Sequence, residues 1–217
     1  MAIGNLCRDS ISIAALLFGC FMVVLVPLYL TRYGPTNFLY FCDTALLLTG
    51  VSLWTRWRLP ASMAVVGILV PQMLWIADLV VHLCGYPLLG MTDYMFNHDA
   101  SLFLRLLSLF HVWLPLLLLW LVPRLGYDRR AFWAWTALGS FLLLISYFLL
   151  PAPPAPATDP SVPVNVNLVY GFSDRMPQQT MPPLAYLALM MVAMPIVCYL
   201  PAHLLMRWLA VRNRHAD

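Results

Sequence analysis

Six long apolar runs limit what this chain can fold into. They lie at about Ser10 to Leu30, Asn37 to Trp54, Ala61 to Cys84, Leu102 to Val122, Ala131 to Leu150 and Leu184 to Leu209. Each approaches the roughly 20 residues with which a helix crosses about 30 Å of hydrocarbon. The runs are too long and too uniformly apolar to be barrel strands, which alternate. Composition agrees: 62% of the 217 residues are hydrophobic and 10% are charged, against about half and a quarter in soluble domains. That balance excludes a soluble globular enzyme, and a mean hydropathy of +0.81 excludes a disordered chain. A net charge of +3 thinly spread along an apolar chain forms no basic stripe, so nucleic acid is not an expected partner. The expected fold is all-α: one polytopic membrane helix bundle of six transmembrane helices in a single domain covering residues 1–217.

The first run fits a retained span better than a cleaved signal peptide, because it continues past Cys20 to Leu30 without a small-x-small cleavage site. Arginines then orient the bundle. Arg8, Arg56, Arg58, Arg124, Arg129, Arg130, Arg207, Arg212 and Arg214 fall on one side, while Arg32 and Arg175 fall on the other. Basic residues favour the cytoplasmic side of short loops, so both termini are expected there, in the bacterial inner membrane. Two longer connections, Gly85 to Ser101 and Pro151 to Pro183, then face outward. The second leaves the membrane through a proline-rich stretch, Pro151 to Pro156, and carries Asn165, Asn167, Tyr170, Asp174, Arg175, Gln178 and Gln179. It reads either as a polar apron folded over the helix ends or as a disordered linker.

Cys7, Cys20, Cys42, Cys84 and Cys198 form neither a disulfide framework nor a CxxC zinc pattern. Ionisable residues inside the runs carry more information, since each costs from about 3 kcal/mol upward in hydrocarbon and is normally paired or functional. These are Asp43, Asp78, His82, Arg105 and His111. Given the expected topology, all five gather in the outward half, with His98 and Asp99 opening onto the same region. Asp78 and His82 are four residues apart, on one helix face. One Arg cannot neutralise two buried carboxylates, which leaves room for a protonated His, a neutral Asp, or a ligand.

Three chemistries fit these residue types. Cys42 with His111 supplies a thiol nucleophile and a base. Asp78, His82, His98, Asp99 and His111 include metal-type donors without a spacing that selects a metal. Asp43 and Asp78 suit ion or proton coupling. Spacing alone does not choose among them, and no cofactor is legible.

The segments Asn37 to Asp43, Ser108 to Pro115, Leu125 to Arg130 and Asn165 to Asp174 resemble those of a group of uncharacterised bacterial multi-pass integral membrane proteins. More distantly, Phe38-Leu39-Tyr40-Phe41-Cys42-Asp43 and the His111 that precedes Leu114-Pro115 are similar to motifs of the androgen-induced membrane lipid hydrolases and a related phospholipid acyltransferase family. That similarity implies a membrane lipid as substrate, Cys42 as nucleophile and His111 as base, with Asp43, Asp78, His82, Arg105, His98 and Asp99 holding a head group or oxyanion. The other expectation is a non-enzymatic protein that binds or passes a small solute or ion through the same Asp/His/Arg cluster.

Overall fold

A computed structural model describes residues 2–86, 88–96, 101–159 and 162–214, with side chains from Asp9 to Arg212. Its described residues are helical, with no strand among them. The helices are α1 (Ala2–Arg32), α2 (Phe41–Thr55), α3 (Arg58–Leu83), α4 (Asp93–Phe96), α5 (Leu102–Leu107), α6 (Phe110–Leu125), α7 (Ala131–Leu149), α8 (Pro183–Ala193) and α9 (Leu200–Arg214). Five segments are long and apolar enough to cross a membrane: Asp9–Arg32, Arg58–Leu83, Leu102–Leu125, Ala131–Leu149 and Pro183–Arg212. The chain is thus built as a multi-pass helical membrane protein.

The segment expected to be the second span departs from a plain crossing helix. A short 3₁₀ turn, Pro35–Leu39, precedes α2, and Tyr40 between them is extended (φ −59°, ψ 141°). Gly34 (φ 77°) turns the chain out of α1, and Pro35 sets the turn's first residue. What remains for α2 is 15 residues, about 22 Å long.

Burial runs opposite to that of a soluble protein. Leu17, Val23, Leu116, Phe148 and Leu149 are exposed, whereas Asp43, Thr49, Ser52, Ser62, Gln72, Asp78 and Ser146 are buried. Lipid solvates the apolar surface, and the polar groups turn inward to find partners. At the centre lies α3, packed against α2, α6, α7 and α9. Its Gly67 allows the closest approach: a Cβ there would stand 1.8 Å from the fully buried Trp135 ring of α7. Ala64, Val65, Val66 and Ile68 of α3 join Leu114, Leu118 and Leu121 of α6 in the same core.

Two of the long apolar segments are interrupted. The fourth breaks at Ser108 and Leu109, between α5 and α6. The last bends through a π turn at Met194–Tyr199, between α8 and α9, where Pro195 removes a backbone donor.

The long stretch after α7 is an apron. Val164 to Asn167 are buried, and Asn165 and Asn167 adopt left-handed backbone (φ 51° and 61°), a conformation asparagine tolerates. The Asn167 side chain accepts from Phe41 N at 2.8 Å and donates to Leu39 O at 2.9 Å and Ser146 Oγ at 3.1 Å. It thereby satisfies a backbone donor at the start of α2 that hydrocarbon could not. Asn165 ties the loop to itself through Gly171 O and Tyr170 N.

Candidate functional site in the outward half

Both Cys42 and Asp43 occupy the first turn of α2, directly after the segment that Asn167 holds. Asp43 is 3% exposed. Its Oδ2 accepts from Asn37 Nδ2 at 3.2 Å and lies 3.8 Å from Cys42 Sγ. Its Oδ1 is buried with no hydrogen-bond partner. Gln72 Oε1, Trp135 Nε1 and Tyr199 Oη are also buried without a partner, but Asp43 is the one carboxylate among these atoms, and an unmade bond at a buried carboxylate oxygen costs about 1–3 kcal/mol or more.

His111 lies on α6 just past the break at Ser108. At the break Ser108 O accepts the His111 backbone N–H at 3.1 Å, and His111 Nδ1 also contacts it at 2.7 Å. A carbonyl only accepts, so Nδ1 carries the proton and Nε2 is left with its lone pair. The ring stacks on Trp75 of α3 (4.7 Å between centroids) and on Phe110 (4.2 Å). Ser108 Oγ meets Tyr29 Oη of α1 at 3.1 Å. Tyr29 in turn is close enough to Asp43 and Cys42 to interact electrostatically. Tyr94 of α4 extends its hydroxyl toward Ser108 and the Trp75 side chain. The cluster therefore draws on α1, α2, α3, α4 and α6.

Not all the expected residues meet there, on three counts. First, Asp78 is fully buried but serves the outward loop: it accepts from Leu89 N (2.6 Å), Thr92 N (2.8 Å) and Thr92 Oγ1 (2.8 Å). Three converging donors stabilise a carboxylate without a cation. Second, Arg105 pairs with neither Asp43 nor Asp78. It precedes the break and donates instead to Met95 O at 3.0 Å. Third, Cys42 and His111 share no hydrogen bond; the thiol faces Asp43, and the imidazole faces Ser108. A base must lie within about 3 Å of the proton it takes, directly or through one water.

His82 sits with the loop, 3.8 Å from Asp93 Oδ1, 3.4 Å from Thr92 Oγ1 and stacked on Phe96. His98 and Asp99 lie outside the described residues. Among those described, no three His, Cys or Asp side chains gather as a metal set would.

Tyr29, Asn37, Trp75, Tyr94 and Ser108 line the chamber without having been singled out from sequence. Only Ser108 carried a usable signal, three residues before His111 and so within reach of its ring. Comparisons add no constraint on chemistry: no family model, curated protein or solved structure matches the chain.

Proposed function

We propose that this protein crosses the bacterial inner membrane six times with both termini cytoplasmic and binds a lipid head group or small solute in the outward chamber. The ligand offers a hydrogen-bond donor, an amine or a hydroxyl, to Asp43. The observation that carries this reading is the orphaned Oδ1 of a carboxylate that is 3% exposed. Every other oxygen on the buried acids Asp78 and Asp128 has a partner. Six crossings follow if Pro35–Leu39 and α2 act as one span: the turn adds about 10 Å to the 22 Å of the helix, matching about 30 Å of hydrocarbon. The arginine asymmetry supports the orientation.

Purified protein tests the binding reading. Phosphatidylethanolamine, whose ammonium donates, is expected to raise the thermal midpoint by several degrees where phosphatidylcholine does not, and Asp43→Asn is expected to abolish the difference. Equal responses to the two lipids in the parent protein would remove the support.

A second reading, lipid-directed acyl transfer or hydrolysis, is favoured by one observation: the Ser108 carbonyl fixes His111 in the tautomer whose Nε2 can accept a proton. Cys42 would then attack an ester carbonyl, its proton passing to His111 through a bridging hydroxyl or water and on to the departing alcohol as the ester C–O bond breaks, and water or a second alcohol would cleave the resulting thioester to return the thiol. An alkyl maleimide with a lipid-like tail tests it. A Cys42→Ala protein that turns over lipid as fast as the parent ends this reading while leaving the binding one intact.

A further inference from the structure

The opposite end of the bundle holds a second arrangement that the outward chamber does not use. Between α6 and α7, Gly126 (φ 89°) turns the chain into Tyr127-Asp128-Arg129-Arg130. Asp128 is 5% exposed. It receives Arg130 Nη2 at 2.8 Å and Arg130 Nε at 3.1 Å, with Arg58 Nε at 3.6 Å. Its backbone N–H donates to Ser62 Oγ at 3.0 Å. The acid at this end is thus neutralised by Arg130 and Arg58, and its neighbours Arg129 and Arg207 keep their charges. Among the described residues neither of them has a carboxylate partner.

Arg129, on the α6–α7 turn, and Arg207, on α9, both act electrostatically on one side chain, His203, and Arg207 also acts on Tyr127. The Tyr127–His203 contact brings the two exposed arginines, two residues past Tyr127 on the turn and about one helical turn past His203 on α9, toward one spot. That spot is built. His203 is 9% exposed, Tyr127 Oη contacts its Nδ1 at 2.6 Å, and Phe132 packs on its ring at 5.3 Å. With the phenol donating to Nδ1, Nε2 keeps its proton as a further donor. The surroundings say what sort of molecule arrives. Leu204, Leu205 and Trp208 beside Arg207 are exposed, as is Trp133 at the start of α7, and Arg212 lies 5.2 Å over the Trp208 ring. Apolar surface below, indoles at the rim and unpaired arginines above match the cross-section of a phospholipid: acyl chains, interface and phosphate.

We infer that Arg129 and Arg207, together with the Tyr127–His203 pair, form a binding site for the phosphate of an anionic phospholipid in the leaflet at this end. Two guanidinium groups suit a phosphodiester oxygen pair, and a basic niche between helix ends is the usual form of such sites. The inference is independent of the outward chamber.

Native mass spectrometry and thermal midpoints with phosphatidylglycerol against phosphatidylcholine test it. The parent is expected to retain phosphatidylglycerol selectively. An Arg129→Gln/Arg207→Gln protein is expected to bind it about thirtyfold more weakly, at about a fivefold loss for each arginine removed near a charged head group. Arg56→Gln/Arg124→Gln, which removes the same charge from the same end, is expected to stay within about threefold of the parent. Tyr127→Phe keeps both arginines and is expected to weaken binding by about three- to tenfold through loss of the His203 contact. Equal losses in the two double variants mean diffuse charge attraction and overturn the site, as does no loss in either. Displacement of the lipid by millimolar glycerol phosphate would assign the niche to a soluble phosphate and also overturn it.

Discussion

The two ends of the bundle treat a buried aspartate in different ways. At the arginine-rich end Asp128 is enclosed by Arg130 and Arg58 and fastens a tight turn between α6 and α7 to the start of α3. At the other end charge pairing is not used in the buried positions. Asp78 relies on three neutral donors from the loop it holds, and Asp43 has Asn37 and a thiol on one oxygen and nothing on the other. A buried carboxylate with all its bonds made is a fastening. One with a bond left over retains capacity for something that is not part of the chain. Hydrogen-bond satisfaction therefore separates the two structural aspartates from the candidate functional one, although all three look alike in sequence.

Stability measurements can break this separation. The largest loss is expected for Asp78→Ala, which strands the N–H groups of Leu89 and Thr92 and the Thr92 hydroxyl: about 3 kcal/mol or more, read as a lower thermal midpoint with faster proteolysis between Gly85 and Phe96. A cost below about 1 kcal/mol would show that water replaces the carboxylate easily.

Asp128→Ala ranks next, at about 1–2 kcal/mol, because the two arginines it releases are largely exposed and solvent takes them back. Acid should act on the same residue. Hydrogen bonds from Arg130 hold the Asp128 carboxyl below the usual carboxylate range. Its contribution is therefore complete above the unfolded-state value of about 3.9 and is lost as pH falls through the lower folded-state value. Thermal midpoints of parent and Asp128→Ala should converge in that acidic window, and a constant gap between them would contradict the pairing.

Asp43→Asn is expected to change stability least among the three, by about 1 kcal/mol or less, since an amide oxygen can still accept from Asn37 and the orphaned position gains a donor. A loss as large as that of Asp78→Ala would place Asp43 among the fastenings and sink the contrast. Smaller still is the effect expected of Arg105→Gln, about 0.5 kcal/mol, because among the described residues Arg105 holds one backbone carbonyl and no carboxylate. Equilibrium unfolding in detergent resolves both.

Packing supplies an independent scale for these values. Gly67→Ala drives a methyl into the Trp135 ring, and overpacking of this kind costs about 1–3 kcal/mol or more. A midpoint drop in that range would calibrate how rigid the bundle around α3 is.

How much of the site could be read from the chain depends on distance along it. Cys42 and Asp43 are neighbours, and the i, i+3 relation of Ser108 and His111 is local, so these contacts follow from helical geometry. Asn37 reaches Asp43 across only six residues. By contrast, the Tyr29–Ser108 contact spans 79 residues, and the hold of Asn167 on Phe41 spans 126. Serine, tyrosine and asparagine are too common for their presence to announce such partners. The grouping of Arg105 with Asp43 and Asp78 rested on depth in the membrane alone, and depth does not set azimuth. The break at Ser108–Leu109 and the loop donors around Asp78 decided that.

Hydropathy by itself determined that the chain is helical, that it is a multi-pass membrane protein, and nearly where its long helices lie, because a segment that cannot hydrogen-bond to lipid must satisfy its backbone internally. Tertiary structure alone decided which polar side chains meet, that the segment around α2 is split into a turn and a short helix, and that the asparagine-rich stretch docks as an apron. Those outcomes depend on helix rotation, on breaks and on long-range closure, and the apolar pattern that inserts a helix constrains none of them.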